Sequence, residues 1–266
     1  YVAHDVTLPF HVDFPVDYVI NAASNAYPAS FNQDPVGTLL GNVSGTKNML
    51  DYGLTHGMRR FFYVSSGEVY GQAGVDVEAY DELFAGYVDP MSARSCYPNG
   101  KRVSETLCAA YSKQFGVNVV VGRPCHTYGP NVTRSDNRAN VQFMNNVLKG
   151  EDIVLKSAGL QVRSYCYVAD CASAILTILL KGEKDQAYNI ANPDSVVSIA
   201  GFARELAEQA GRKLVYAAPD SVDIAERTPI SRQVLDAQKL CRLGWTGKYT
   251  LKKGINHTLG VLREIG

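Results

Sequence analysis

Apolar and polar positions succeed one another along the chain in an order that predicts its elements. Residues 16–23, Val-Asp-Tyr-Val-Ile-Asn-Ala-Ala, read as a buried strand ending in small residues. A helix is predicted over roughly 38–56, with Leu39, Val43, Met49 and Leu50 as apolar positions. Gly37, Gly41 and Gly45 fall four apart in it. Polar Asn42, Ser44, Thr46 and Lys47 exclude a membrane-type glycine motif, so the spacing predicts close packing of a helix on a sheet. The run Arg60-Phe61-Phe62-Tyr63-Val64-Ser65-Ser66 is almost continuously apolar, as in a strand buried on both faces of a parallel sheet. Residues 72–93 are acidic and read as loop. A long helix is predicted from Cys96 to Phe115, with Gly116 as its stop. A third buried strand covers 117–123. This alternation predicts an α/β fold with a doubly wound parallel sheet.

After Pro130 the rhythm changes. A polar loop leads to a helix near 140–148, a short strand near Ile153, a helix over 168–180 and a short strand at 188–190. Ser198 caps a helix with Ile199, Phe202, Ala203, Leu206, Ala207 and Ala210 on one face. A last helix covers 251–263. Residues 1–130 and 161–182 are expected to form the sheet domain, and 131–160 with 183–266 a smaller α+β cap.

Charge narrows the function classes. Lys plus Arg is 26 and Asp plus Glu is 26, which argues against a bulk nucleic-acid or acidic-membrane binder. No apolar run reaches the ~18–20 residues that span a bilayer. The start, Tyr1-Val2-Ala3-His4-Asp5, lacks the features of a signal peptide and is not a methionine. The six cysteines form no C-x-x-C pair and read as buried free thiols in a reducing, cytoplasmic compartment. The five histidines show no metal spacing, so no metal site is expected.

The candidate chemistry begins with Tyr97-Pro98-Asn99-Gly100-Lys101. On a helix this pair shares one face. An ammonium beside a phenol favours the phenolate, which can act as a general base on an alcohol. With sixteen tyrosines in the chain, a chance exposed pair is the plain alternative. Ser65-Ser66-Gly67-Glu68 lies at the carboxyl end of a predicted parallel strand, where ligands bind in open α/β sheets. Ser66 could bond a substrate oxygen there; simple turn chemistry is the alternative.

These motifs carry a resemblance, in the order Asn21-Ala22-Ala23, Asn42-Val43-Ser44-Gly45-Thr46, Val64-Ser65-Ser66-Gly67-Glu68-Val69-Tyr70-Gly71, Tyr97-x-x-x-Lys101 and Arg123-Pro124-Cys125-His126-Thr127-Tyr128-Gly129-Pro130. Arg163-Ser164-Tyr165-Cys166-Tyr167-Val168-Ala169-Asp170 and Leu243-Gly244-Trp245 extend it, so it spans essentially the whole chain. The chain resembles the extended short-chain dehydrogenase/reductases, within them the NAD-dependent nucleotide-sugar epimerases, dehydratases and decarboxylases. The resemblance implies a Rossmann-type sheet domain that binds NAD and a cap that binds a nucleotide sugar. It implies Tyr97 as the base at the sugar 4-hydroxyl, Lys101 as holder of the nicotinamide ribose, and Ser66 as partner of the 4-oxygen. Asp5, Ala22, Ala23, Asn42 and Ser65 would line the cofactor cleft. Arg163, with Arg138 and His126, would meet the substrate. A homodimer is implied as well.

Glu68 resembles an acid that the 4,6-dehydratases and the glucuronate decarboxylases share, and the stretch Arg94-Ser95-Cys96-Tyr97, with Lys101-Arg102-Val103-Ser104-Glu105, looks most like the UDP-glucuronate decarboxylases. The implied reaction is oxidation to a 4-keto sugar, whose carbonyl is an electron sink for loss of carbon dioxide. A 4,6-dehydratase or a 4-epimerase is the alternative, and a non-catalytic nucleotide-binding member or inert fragment is a second class. The chain departs from the pattern at Gly67, where the subgroup carries a hydroxyl, and at His126, where Asn is usual. The family's glycine-rich turn, G-x-x-G-x-x-G, is not in the sequence. The expectation is that the sequence opens near the family's third strand and that a βαβ unit of ~30 residues or more belongs before it.

Overall fold

A computed structural model describes residues 1–74, 77–130, 136–218 and 230–265. The main sheet holds β1 (Tyr18–Asn21), β2 (Arg60–Val64), β3 (Val119–Pro124) and β7 (Gln186–Ile190). They lie in the order β1-β2-β3-β7, and every pair is parallel. Side-chain parity shows why β2 is so continuously apolar. Phe61 and Tyr63 pack with Val119, Val121, Leu50, Cys108 and Tyr111 on one face. Phe62 and Val120 pack with Ala174, Ile178, Tyr188 and Trp245 on the other. The first face is covered by α2 (Pro35–Thr55) and α3 (Cys96–Phe115), the second by α5 (Val168–Lys181). The sheet is therefore doubly wound, as expected, because only helices on both sides remove both apolar faces from water.

A second sheet centres on β6 (Val162–Tyr167), parallel to β4 (His126–Tyr128) and β10 (Arg232–Gln233) and antiparallel to β8 (Val196–Ser198). A third pairs β5 (Ile153–Leu155) with β9 (Leu214–Tyr216). The helices α4 (Ala139–Leu148), α6 (Ile199–Ala210) and α8 (Leu251–Ile265) surround a core that includes Phe143, Ile153, Tyr165, Phe202, Leu206 and Ile255. Ser198 caps α6 by accepting from the Gly201 amide at 3.0 Å. Gly116 ends α3 in the left-handed conformation at φ 74°.

Two expectations change. Residues 186–190, expected in the cap, form the fourth strand of the main sheet. Tyr188 and Ile190 complete the core beneath α5 while the backbone pairs with β3. The glycine spacing in α2 does not seat the helix on the sheet. Gly41 faces open space, and a Cβ at Gly45 would lie 2.9 Å from a Val6 methyl, so Gly45 receives the N-terminal segment. The short elements α1 (Pro28–Gln33), α7 (Gln238–Cys241), β4, β9 and β10 carry too few residues to show a period. Residues 131–135 of the expected polar loop and 75–76 of the acidic stretch lie outside the described residues.

Candidate active site

The carboxyl ends of β1, β2 and β3 open into one cavity of about 230 Å³. β1 delivers Ala22, β2 delivers Ser65 and Ser66, and the turn after β2 delivers Glu68. The first residue of β4 adds His126, and the first turns of α3 add Tyr97 and Lys101. A second cavity of about 220 Å³ shares Glu68, His126 and Arg138 with it and adds Arg94, Arg163 and Tyr165. Eight of the twelve residues singled out in the sequence thus meet at the first cavity, and Arg163 lines the second. Helix α3 approaches closely because Gly100, between Tyr97 and Lys101, faces Asn42 of α2; a Cβ there would stand 3.2 Å from the Asn42 Cβ.

Tyr97 is buried, and its ring stacks on Phe31 at 4.6 Å between centroids. Burial pushes its phenol up to about 12; a hydrogen bond with Ser66 and the Arg138 and Arg94 charges pull it down, while Glu68 pushes it further up. The Lys101 ammonium donates to the Val64 carbonyl at 2.8 Å and lies 5.7 Å from the Tyr97 ring centre. Burial brings it down to about 7, against the pull of Glu105. The lowered phenol expected from the Tyr–Lys spacing is not what this geometry yields. Desolvation is the largest cause at both groups and sets the direction of each shift. Ser66 is oriented from its own turn, its hydroxyl accepting from the Glu68 amide at 3.1 Å.

Beneath the site lies a buried ionic network that the sequence did not announce. The Ser65 hydroxyl donates to Glu105 at 2.5 Å. Arg123 donates to both Glu105 oxygens, at 2.9 and 2.6 Å, and also to the Tyr70 hydroxyl and the Glu82 carbonyl. The signal was present: Tyr97, Lys101 and Glu105 follow at four-residue steps on one helix face. Arg94, three residues before Tyr97, forks one nitrogen to both Glu68 oxygens at 3.1 and 3.0 Å.

The remaining candidates sit differently. Burial, then the Arg163 and Arg138 charges, bring the His126 imidazole down to about 3, so it is neutral at physiological pH. Arg163 is buried and donates to the Val162 and Ile230 carbonyls at 2.9 and 2.5 Å. Arg138 is paired with Asp136 at 2.6 Å. Asn42 and Ala23 do not line the cavity. Asn42 is buried between helices, and its side-chain oxygen accepts from Ser24, which does line it. Ala23 donates its amide to Asn21. Asp5 is exposed and bonds Thr7 at 2.9 and 2.8 Å. Among the described residues no cluster of three or more His, Cys, Asp or Glu could hold a metal, and no helix is long and apolar enough to cross a membrane.

A parallel sheet wound on both faces, with a Tyr–Lys helix pair and a serine turn at its carboxyl ends, defines the class, and sequence comparison agrees. Residues 4–191 match the NAD dependent epimerase/dehydratase family, and the chain belongs to it. Among its relatives, UDP-glucuronic acid decarboxylase 6 of Arabidopsis thaliana is 35% identical over 96% of this chain and 71% of its own length. UDP-glucuronic acid decarboxylase 1 of Xenopus tropicalis is 33% identical over 99% of this chain and 60% of its own. The crystal structure of the UDP-glucose 4-epimerase of Thermotoga maritima with UDP-glucose superposes with a TM-score of 0.81. It is 25% identical, over 94% of this chain and 78% of that one.

Proposed function

We propose that the protein is an NAD-dependent nucleotide-sugar lyase that decarboxylates UDP-glucuronate through a 4-keto intermediate. The observation that carries this reading is the convergence of Ser66, Tyr97 and Lys101 on one cavity beside Glu68. The relatives named UDP-glucuronic acid decarboxylase support the choice of substrate.

The residues present fit the nicotinamide end of a dinucleotide. Of the three N–H bonds of Lys101, one is given to the Val64 carbonyl, and the group borders the cavity, leaving donors for ribose hydroxyls. Ala22, Ser24 and Ala26 line a wall small enough to admit a flat ring. NAD bound there supplies the hydride acceptor at sugar C4. Tyr97 takes the proton of the 4-hydroxyl, and Ser66, beside Tyr97 in the cavity wall, holds the 4-oxygen in line. Protonated Lys101 stabilises the phenolate as it forms. Loss of carbon dioxide then asks little of the protein, because the 4-keto group lies β to the carboxylate. The Arg163 and Arg138 side chains serve the substrate's diphosphate, and neutral His126 lies between the two cavities.

The working unit is a homodimer, a reading supported by exposed Val36, Leu39 and Leu40 on α2 and Val103 on α3. A cytoplasmic setting is supported by six free thiols.

The test is incubation of the protein with NAD and UDP-glucuronate, following carbon dioxide. The wild type releases it, and Tyr97→Phe lowers turnover at least ~100-fold while nucleotide binding persists. Turnover of dTDP-glucose or UDP-galactose without decarboxylation would replace this reading with a dehydratase or an epimerase.

A further inference from the structure

Arg94 stands outside the machinery described above, and its setting is unusual. Its guanidinium lies 4.7 Å from the centre of the Phe31 ring, which is itself stacked on Tyr97. Its Nη2 alone serves both oxygens of Glu68, so Nε and Nη1 make no hydrogen bond to the described residues. The two side chains keep 38% and 30% of their surface exposed, and both border the second cavity. The neighbouring cations Arg138 and Arg163 already hold Asp136 and backbone carbonyls, and in the proposed reaction they face the diphosphate rather than the sugar.

We propose that Arg94 is the specificity-determining residue for an acidic sugar, its unused Nη1 donors receiving the C6 carboxylate while Nη2 holds Glu68. This rests on the proposed reaction at C4. The carbon bearing C6 adjoins C4, so a sugar whose 4-oxygen meets Ser66 carries its carboxylate toward the same turn. There Glu68, two residues on, would repel it. A guanidinium shared between the two carboxylates turns that repulsion into a bridge, and a planar fork suits the geometry. The stack on Phe31 fixes the plane of the fork without a further polar contact.

The test is calorimetric binding of UDP-glucuronate and UDP-glucose to the protein loaded with NAD, with Tyr97→Phe introduced into the wild type and into every variant so that bound substrate is not consumed. The wild type prefers the uronate. Arg94→Met, which keeps an apolar stem on Phe31, weakens the uronate roughly 10- to 100-fold and UDP-glucose less than ~3-fold. Adding Glu68→Gln to that variant recovers part of the uronate affinity, because the repelling charge is gone. Should Arg94→Met not fold, Arg94→Lys is used; it keeps the charge but not the fork, and the preference falls by ~3-fold or more. An equal loss for both ligands, an unchanged preference, or no recovery in the double variant overturns the proposal. A wild type that binds UDP-glucose but not UDP-glucuronate overturns the substrate reading instead, and this inference with it.

Discussion

Glu105 is the residue whose removal should cost the fold most for its size. It stands in the middle of α3, four residues beyond Lys101, with its side chain 16% exposed and Arg123 opposite at 13%. Three hydrogen bonds converge on its carboxylate, two from Arg123 and one from Ser65. Glu105→Ala leaves the Arg123 charge buried with only the Tyr70 hydroxyl and the Glu82 carbonyl as acceptors. Breaking one side of such a pair costs about 3–5 kcal/mol, because the surviving charge keeps its desolvation penalty. At roughly 2–4 °C per kcal/mol for a chain of this size, thermal unfolding should move down by about 6–20 °C. Glu105→Gln keeps the volume and an acceptor for Ser65 but not the charge, so it should lose most of the same stability. Circular dichroism melts of the three proteins near neutral pH decide the matter. A shift below about 2 °C for the alanine variant, or near-complete recovery by glutamine, would refute the argument that the pair's charge balance matters here.

Two further outcomes follow from the same geometry. Lys101 has a folded value of about 7 against an ordinary 10.5, so the unfolded chain holds the extra proton between those values. Stability therefore rises with pH across that window. The melting temperature of Lys101→Met relative to wild type should be highest below about pH 7 and should decline toward pH 10; a difference independent of pH would contradict this. Gly71, after the Glu68 turn, has φ 67°, and a Cβ there would stand 2.4 Å from the Tyr87 carbonyl oxygen. Gly71→Ala should cost about 2 kcal/mol or more, read as a lowered denaturant midpoint, and a neutral result would mean the turn can rearrange freely.

The sequence alone determined the long elements and the chemical cast. Cys96–Phe115 and the strands around Phe61 and Val120 were legible because burial on two faces leaves an unbroken apolar run and a helix leaves a period. Ser66, Glu68, Tyr97 and Lys101 were legible because each sits at a strand end or on one helix face, where spacing translates directly into position. Tertiary structure decided the rest. Strand β7 joined the main sheet because its two core side chains found room beneath α5, which no local pattern records. The Tyr97 phenol rose rather than fell, because desolvation depends on everything packed around a group and not on its helical neighbour. Arg94 and Arg123 acquired their partners, 26 and 18 residues away, only when α3 was laid across the ends of β2 and β3. Spacing fixes which side chains share a face; only the packed fold fixes which charges are left to meet a ligand.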